Sequence, residues 1–172
     1  MLFLAKNVIG MPVSSIRLAG KVAEVTGILV DPDRLKVVAF WVKTGGKNVD
    51  ELLLFEDLRD FNMRGLIIDD LHNISPVEEL TRLQRILDIN YQIPGKKVVG
   101  SRGKLGTAEN FSFDPQTAEV MTISGKPSLS RRFNQNEFTI HRSQILEVDD
   151  SQIRVNDGPQ TVSSGAKVTA TD

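Results

Sequence analysis

The sequence predicts a mainly β protein, built as two small antiparallel β-barrels joined by a short amphipathic helix. Three observations predict it. Gly20-Lys21-Val22 runs to Asp31-Pro32, and 83 residues later Gly103-Lys104-Leu105 runs to Asp114-Pro115 with the same spacing. Between these marks Val25, Ile28 and Val30 are matched by Ala108, Phe111 and Phe113. Finally, short runs rich in β-branched and aromatic residues recur between turn-forming clusters, as in small closed sheets that leave few edges exposed.

Taken in order, residues 1–19 read as a strand and turn leading into the first copy. Val22 to Val30 is a strand. Asp31-Pro32-Asp33-Arg34 is a turn, because Asp accepts local backbone hydrogen bonds and Pro presets its φ. Leu35 to Val42 and Glu51 to Phe55 are the next strands, and Leu66-Ile67-Ile68 closes the first copy. Ser75-Pro76-Val77-Glu78 has the pattern of a capping box with Pro at the first helical position. Val77, Leu80, Leu83 and Leu87 follow at steps of three and four, which predicts a linker helix ending near Asn90. The second copy supplies Lys97 to Val99, Gly103 to Phe113, Ala118 to Ile123, Phe138 to Ile140, Gln144 to Leu146 and Ile153 to Val155. The expected division is 1–74 and 93–156 for the two barrels, 75–92 for the linker helix, and 157–172 for a disordered tail rich in Gly, Ser and Thr.

A formal net charge of -1 conceals no basic half. Residues 1–76 hold nine Lys and Arg against ten Asp and Glu, and residues 94–150 hold eight against seven. Phosphate backbones are bound by clustered cations, so this balance argues against nucleic acid as the main partner. The chain has no cysteine, which removes disulfides, thiolate nucleophiles and cysteine metal sites. No basic leader precedes Leu2-Phe3-Leu4, and no run approaches the ~20 apolar residues of a membrane helix. A cytoplasmic protein without a membrane span is expected.

With these residues laid out, the chain resembles two tandem PRC-barrel domains. Gly20, Ala23, Val25, Ile28, Val30 and Asp31 fit the family pattern, as do Gly103, Gly106, Phe111, Phe113 and Asp114. The segment Ile93 to Val99, following a charged linker, is similar to double-barrel members. The resemblance spans roughly residues 5–156. The family includes the cytoplasmic domain of the photosynthetic reaction-centre H subunit and the C-terminal domain of a ribosome-maturation factor. It implies a small barrel that acts by binding and not by catalysis.

Candidate chemistry is sparse. His72 and His141 have no second ligand at a zinc-like spacing. Asp69-Asp70 and Asp149-Asp150 recur near terminal strands, where solvated turn carboxylates are the simpler reading than a cation site. Gly100 to Gly106 looks like a phosphate loop but leads into a strand, not a helix. No catalytic residue, cofactor or metal is expected. Aligning the copies on Asp31 and Asp114 matches Val38 and Phe40 with Met121 and Ile123, which places them inside the barrel. Val37, Ala39 and Trp41 then lie outside with Leu29, where the second copy has Val120, Thr122, Ser124 and Ser112. A bulge, for which Gly27 is the candidate, would reverse that parity. An apolar outer face needs a cover. The linker is one, and a protein partner centred on Trp41 is the other.

The function expected is thus a non-catalytic adaptor or scaffold that binds another protein through Trp41, Leu29, Val37 and Ala39. The alternative is an RNA- or ribosome-associated maturation factor using Arg131, Arg132 and Phe133, a cationic pair with one stacking aromatic. A small-molecule or cation-binding module between the barrels is the third reading.

Overall fold

The computed structural model describes residues 1–129 and 137–157. The first copy contributes β2 (Pro12–Ser15), β3 (Gly20–Asp31), β4 (Lys36–Thr44), β5 (Glu51–Leu54), β6 (Asp60–Asn62) and β7 (Gly65–Ile68), with β8 (Ile74–Ser75) added from the linker. These form one curled sheet in the order β6-β7-β2-β3-β4-β5-β8. The second copy contributes β9 (Lys97–Gly100), β10 (Gly103–Phe113), β11 (Val120–Pro127), β12 (Phe138–His141), β13 (Ile145–Val148) and β14 (Gln152–Val155). Its sheet runs β12-β11-β10-β9-β14-β13, the same path read from the other end. Among the described residues no ladder joins the two ends of either path, so each sheet is a curled half-barrel.

The repeat extends to the irregularities. Thr26 in β3 and Glu109 in β10 are each the extra residue of a bulge against the next strand. Val38 and Met121 are extra on the facing strands, and Val22 and Leu105 are extra against β2 and β9. Bulges bend a strand and raise its twist, so bulges at matching positions give both sheets the same curl. The Asp-Pro turns match as well. The Asp31 carboxylate accepts the Asp33 amide at 3.0 Å and that of Asp114 accepts the Gln116 amide at 2.7 Å. Each turn ends on a residue in the left-handed region, Leu35 at φ 48° and Ala118 at φ 64°.

The chain does not begin within the first sheet. β1 (Phe3–Leu4) pairs with β10 of the second copy, Phe3 opposite Phe113, before α1 (Ala5–Val8) leads into β2. The expected boundary at residue 74 is therefore crossed by the first strand. One hydrophobic cluster draws on both copies, including Val13, Phe40 and Leu66 from the first and Phe111, Phe113 and Ile123 from the second. Aromatic rings bridge them: Phe113 lies 6.3 Å from Phe40 and 5.8 Å from Phe61, and Phe61 stacks on Phe3 at 4.3 Å. The two halves share a core.

The linker departs from the expected single helix. Ser75 is in β8, paired with Leu52, and makes no helix cap; Pro76 precedes a 3-10 turn at Val77–Glu79. A second 3-10 turn, Thr81–Leu83, leads into α2 (Gln84–Ile89), which ends on left-handed Asn90. Spacing explains the difference. Val77, Leu80, Leu83 and Ile86 recur every three residues, the period at which 3-10 side chains eclipse on one face. A 3.6-residue helix would rotate that stripe away from the sheet.

Candidate functional site: two clefts on a pseudo-twofold axis

The two copies meet at equivalent residues. Lys36 of β4 and Glu119, the residue before β11, form an isolated antiparallel bridge. The Val37 amide donates to the Ala118 carbonyl at 2.9 Å, and the Val120 amide donates to the Leu35 carbonyl at 2.9 Å. Exchanging the copies exchanges these two bonds. The interface is isologous in form, with one surface patch meeting its own duplicate.

Such an interface has two related clefts, each between one copy's Asp-Pro turn and the 3-10 turn that follows the other copy's fourth strand. In the first copy that turn is Phe55–Asp57, and in the second it is Arg142–Gln144. Leu54 faces Ala39 as His141 faces Thr122, so the next residues, Phe55 and Arg142, are structural equivalents.

The equivalents differ in chemistry. Arg142 fills its cleft: one guanidinium nitrogen donates to the carbonyls of Leu35 at 2.9 Å and Val120 at 3.1 Å, and another donates to that of Arg34 at 2.8 Å. Glu119 stands 3.7 Å from the same group. A planar fork of five N–H donors suits this ring of carbonyls. The space left there is about 380 Å³.

Phe55 instead turns its ring onto Phe40, with centroids 6.0 Å apart. Its cleft stays open, at about 710 Å³. Phe3, Phe55 and Phe61 contribute an aromatic floor. The exposed Gln116 and Thr117 form one lip and Arg59, Asp60 and Asn62 the other. Glu56, Asp114 and Met1 also line it, which puts three acidic side chains and one basic side chain around the cleft. Asp57, beside them in the chain, has its carboxyl raised above the usual range by burial and by neighbouring Glu56. An apolar floor with a few convergent polar groups is the usual form of a binding site.

The residues singled out in the sequence lie elsewhere. Leu29 and Ala39 are fully buried with Leu52, Leu54 and Ile86, and Val38, Trp41, Val77, Leu80 and Leu83 pack against them. The linker therefore covers this face. Val37 belongs to the shared core and Val38 to the outer cluster, the reverse of expectation, because the bulge at Val38 shifts the parity of β4 there. Trp41 lies over Gly27, where a Cβ would stand 3.1 Å from its Cδ1. Arg131, Arg132 and Phe133 lie outside the described residues.

The paired carboxylates have local partners. Asp70 binds Arg17 at 2.5 Å, which lowers its pKa, and it caps the turn at Leu71. Asp149 accepts from Ser151 and Gln152, and these bonds lower its pKa. Among the described residues no group of three or more His, Cys, Asp or Glu is placed to hold a metal ion. Of the expected tail only Asp157 is described; its carboxylate accepts the Ser101 amide at 2.9 Å and hydroxyl at 2.7 Å. No helix among the described residues is long and apolar enough to cross a membrane.

Sequence reading missed Arg142, Phe55 and the cleft. The longer loop before β12 breaks the constant spacing of the copies, so these two residues do not align by number. Matching the ends of β5 and β12 would have paired them. Compared with family models and with curated proteins, the chain matches none.

Proposed function

We propose that this protein is a non-catalytic adaptor, a duplicated PRC-barrel-like domain that binds another polypeptide in the cytoplasm. The observation that supports this is the asymmetry at the pseudo-twofold axis. One cleft is plugged by the chain's own Arg142 while its equivalent opens over Phe55 and Phe61. The open cleft replaces the Trp41 face as the partner surface, because the linker occupies that face.

The test is affinity capture from host lysate with and without nuclease, comparing wild type with Gln116→Lys. Gln116 is exposed on the lip, so the change spares the core. A protein that survives nuclease and is lost on substitution supports the adaptor. Capture that vanishes with nuclease and ignores Gln116 favours the ribosome-associated reading and would sink this one.

A further inference from the structure

We infer that the open cleft binds an extended segment of the partner polypeptide, which adds as a strand along the free edge of β6 and lays an apolar side chain on the aromatic floor. This rests on the adaptor reading above and adds the manner of binding. Asp60, Phe61 and Asn62 all border the cleft. Successive side chains of a strand point to opposite faces, so a hollow that touches three in a row lies along the strand's edge. β6 is the terminal strand of its sheet, paired with β7 on one side alone. Among the described residues no backbone hydrogen bond reaches its outer edge. Backbone N–H and C=O groups alternate between the two edges of a strand, so at least one of these three residues turns both toward the cleft. Such groups are matched by the backbone of an extended peptide.

The chain itself shows what such a segment carries. β1 is an extended stretch that pairs with β10 and places Phe3 against Phe61, with 4.3 Å between ring centroids. Met1 and Phe3 border the same cleft, so an incoming segment continues the contact between the two copies. Phe3 is buried in the shared core and Phe55 and Phe61 pack against it, which makes the floor an extension of an interface already built from aromatic rings. The charged side chains of the rim have local partners. Glu56 binds Arg82, Arg59 stands 3.9 Å from Asp69, Asp60 accepts from Asn62, and Asp114 accepts the Gln116 amide. Selection therefore falls to backbone pairing and to an apolar side chain over the floor. A second copy of this chain is the poorer occupant. β6 has 3 residues and carries Asp60, and short, charged edges resist sheet-to-sheet pairing. The cleft, at about 710 Å³, has the usual size of a ligand site.

The experiment titrates the isotope-labelled full chain with a capped pentapeptide that has phenylalanine at its centre and valine and threonine on either side. Saturable shifts should appear at the amides of Asp60 to Asn62, Gln116 and Thr117 and at the rings of Phe3, Phe55 and Phe61. Two N-methylated forms of the peptide, blocked at alternate amides, separate strand addition from simple apolar contact. Only one alternate set faces β6, so one form should bind about tenfold more weakly and the other should bind like the parent. Serine at the centre should weaken binding by at least about tenfold, since the floor then loses its apolar contact. Gln116→Trp, at an exposed position on the lip, should occlude the cleft and abolish the shifts while leaving the fold intact. Strand addition is overturned by shifts that never saturate, that fall outside these residues, that persist in Gln116→Trp, or that the two N-methylated forms alter equally. If capture still yields a nuclease-resistant, Gln116-dependent partner, the adaptor reading survives that failure.

Discussion

Lys36 and Glu119 are the same position of the repeat, and they meet each other on the axis that relates the two copies. In a dimer of identical chains that axis would set lysine against lysine or glutamate against glutamate. Like charges directly opposite each other destabilise a strand pair. Within one chain the two matching positions carry opposite charges instead. The same asymmetry separates Phe55 from Arg142, leaving one cleft plugged and one open.

Lys36→Glu should therefore cost about 0.5–1 kcal/mol by restoring like charges on the axis. Adding Glu119→Lys should recover most of that loss. Urea unfolding of the two single variants and the double variant measures the coupling, with Arg142 as the neighbour that Glu119→Lys also disturbs.

Trp41→Ser should destabilise the fold by on the order of 3 kcal/mol. The indole packs with Leu80 and Leu83 over Leu29 and Ala39, and its loss opens a cavity beneath the linker. A cost below about 1 kcal/mol in thermal or urea unfolding would mean the linker does not seal this face.

Phe113→Ala should lower the stability of both copies together, by about 3–5 kcal/mol. Phe113 touches Phe3, Phe40, Phe61 and Phe111, so one truncation is felt on both sides of the axis. Unfolding monitored at amides of each sheet should give one coincident transition. Two separated transitions would show that the halves are independent.

Tyr91 is buried with its hydroxyl lacking a hydrogen-bond partner among the described residues, and Lys96 lies 4.8 Å from its ring. Burial, with Asp149 and Asp150 nearby, pushes the phenol up to about 12 from 10.0. A raised folded-state pKa means the neutral form is favoured in the fold. The stability it carries is full below pH 10 and is lost as pH rises toward 12. Tyr91→Phe should remove that alkaline loss and leave the neutral-pH fold unchanged or roughly 1 kcal/mol more stable. Destabilisation by Tyr91→Phe at pH 7 would show that the hydroxyl has a partner.

Much of the architecture was legible because a repeat is a local signal. Strand identity follows from runs such as Leu35 to Val42, and the turns follow from Asp-Pro, where a carboxylate accepts the amide two residues on. The sequence also placed an apolar stripe in the linker. It could not show that Ser75 would pair with Leu52 and surrender its role as a cap, because that depends on a strand distant in the chain. Nor could it place Val37, since one extra residue in β4 swaps the two faces and strand pairing decides where that residue sits.

By itself, then, the sequence determined the mainly β composition, the recurring Gly-to-Asp-Pro spacing and its turns, all of which rest on residue type and pattern. Only the tertiary structure decided that β1 crosses to the other sheet, that the linker covers Leu29 and Ala39, and that Phe55 and Arg142 are equivalents. Each of these depends on which distant segments meet. That outcome is set by the summed burial of a core drawn from both copies, which no local window of residues contains.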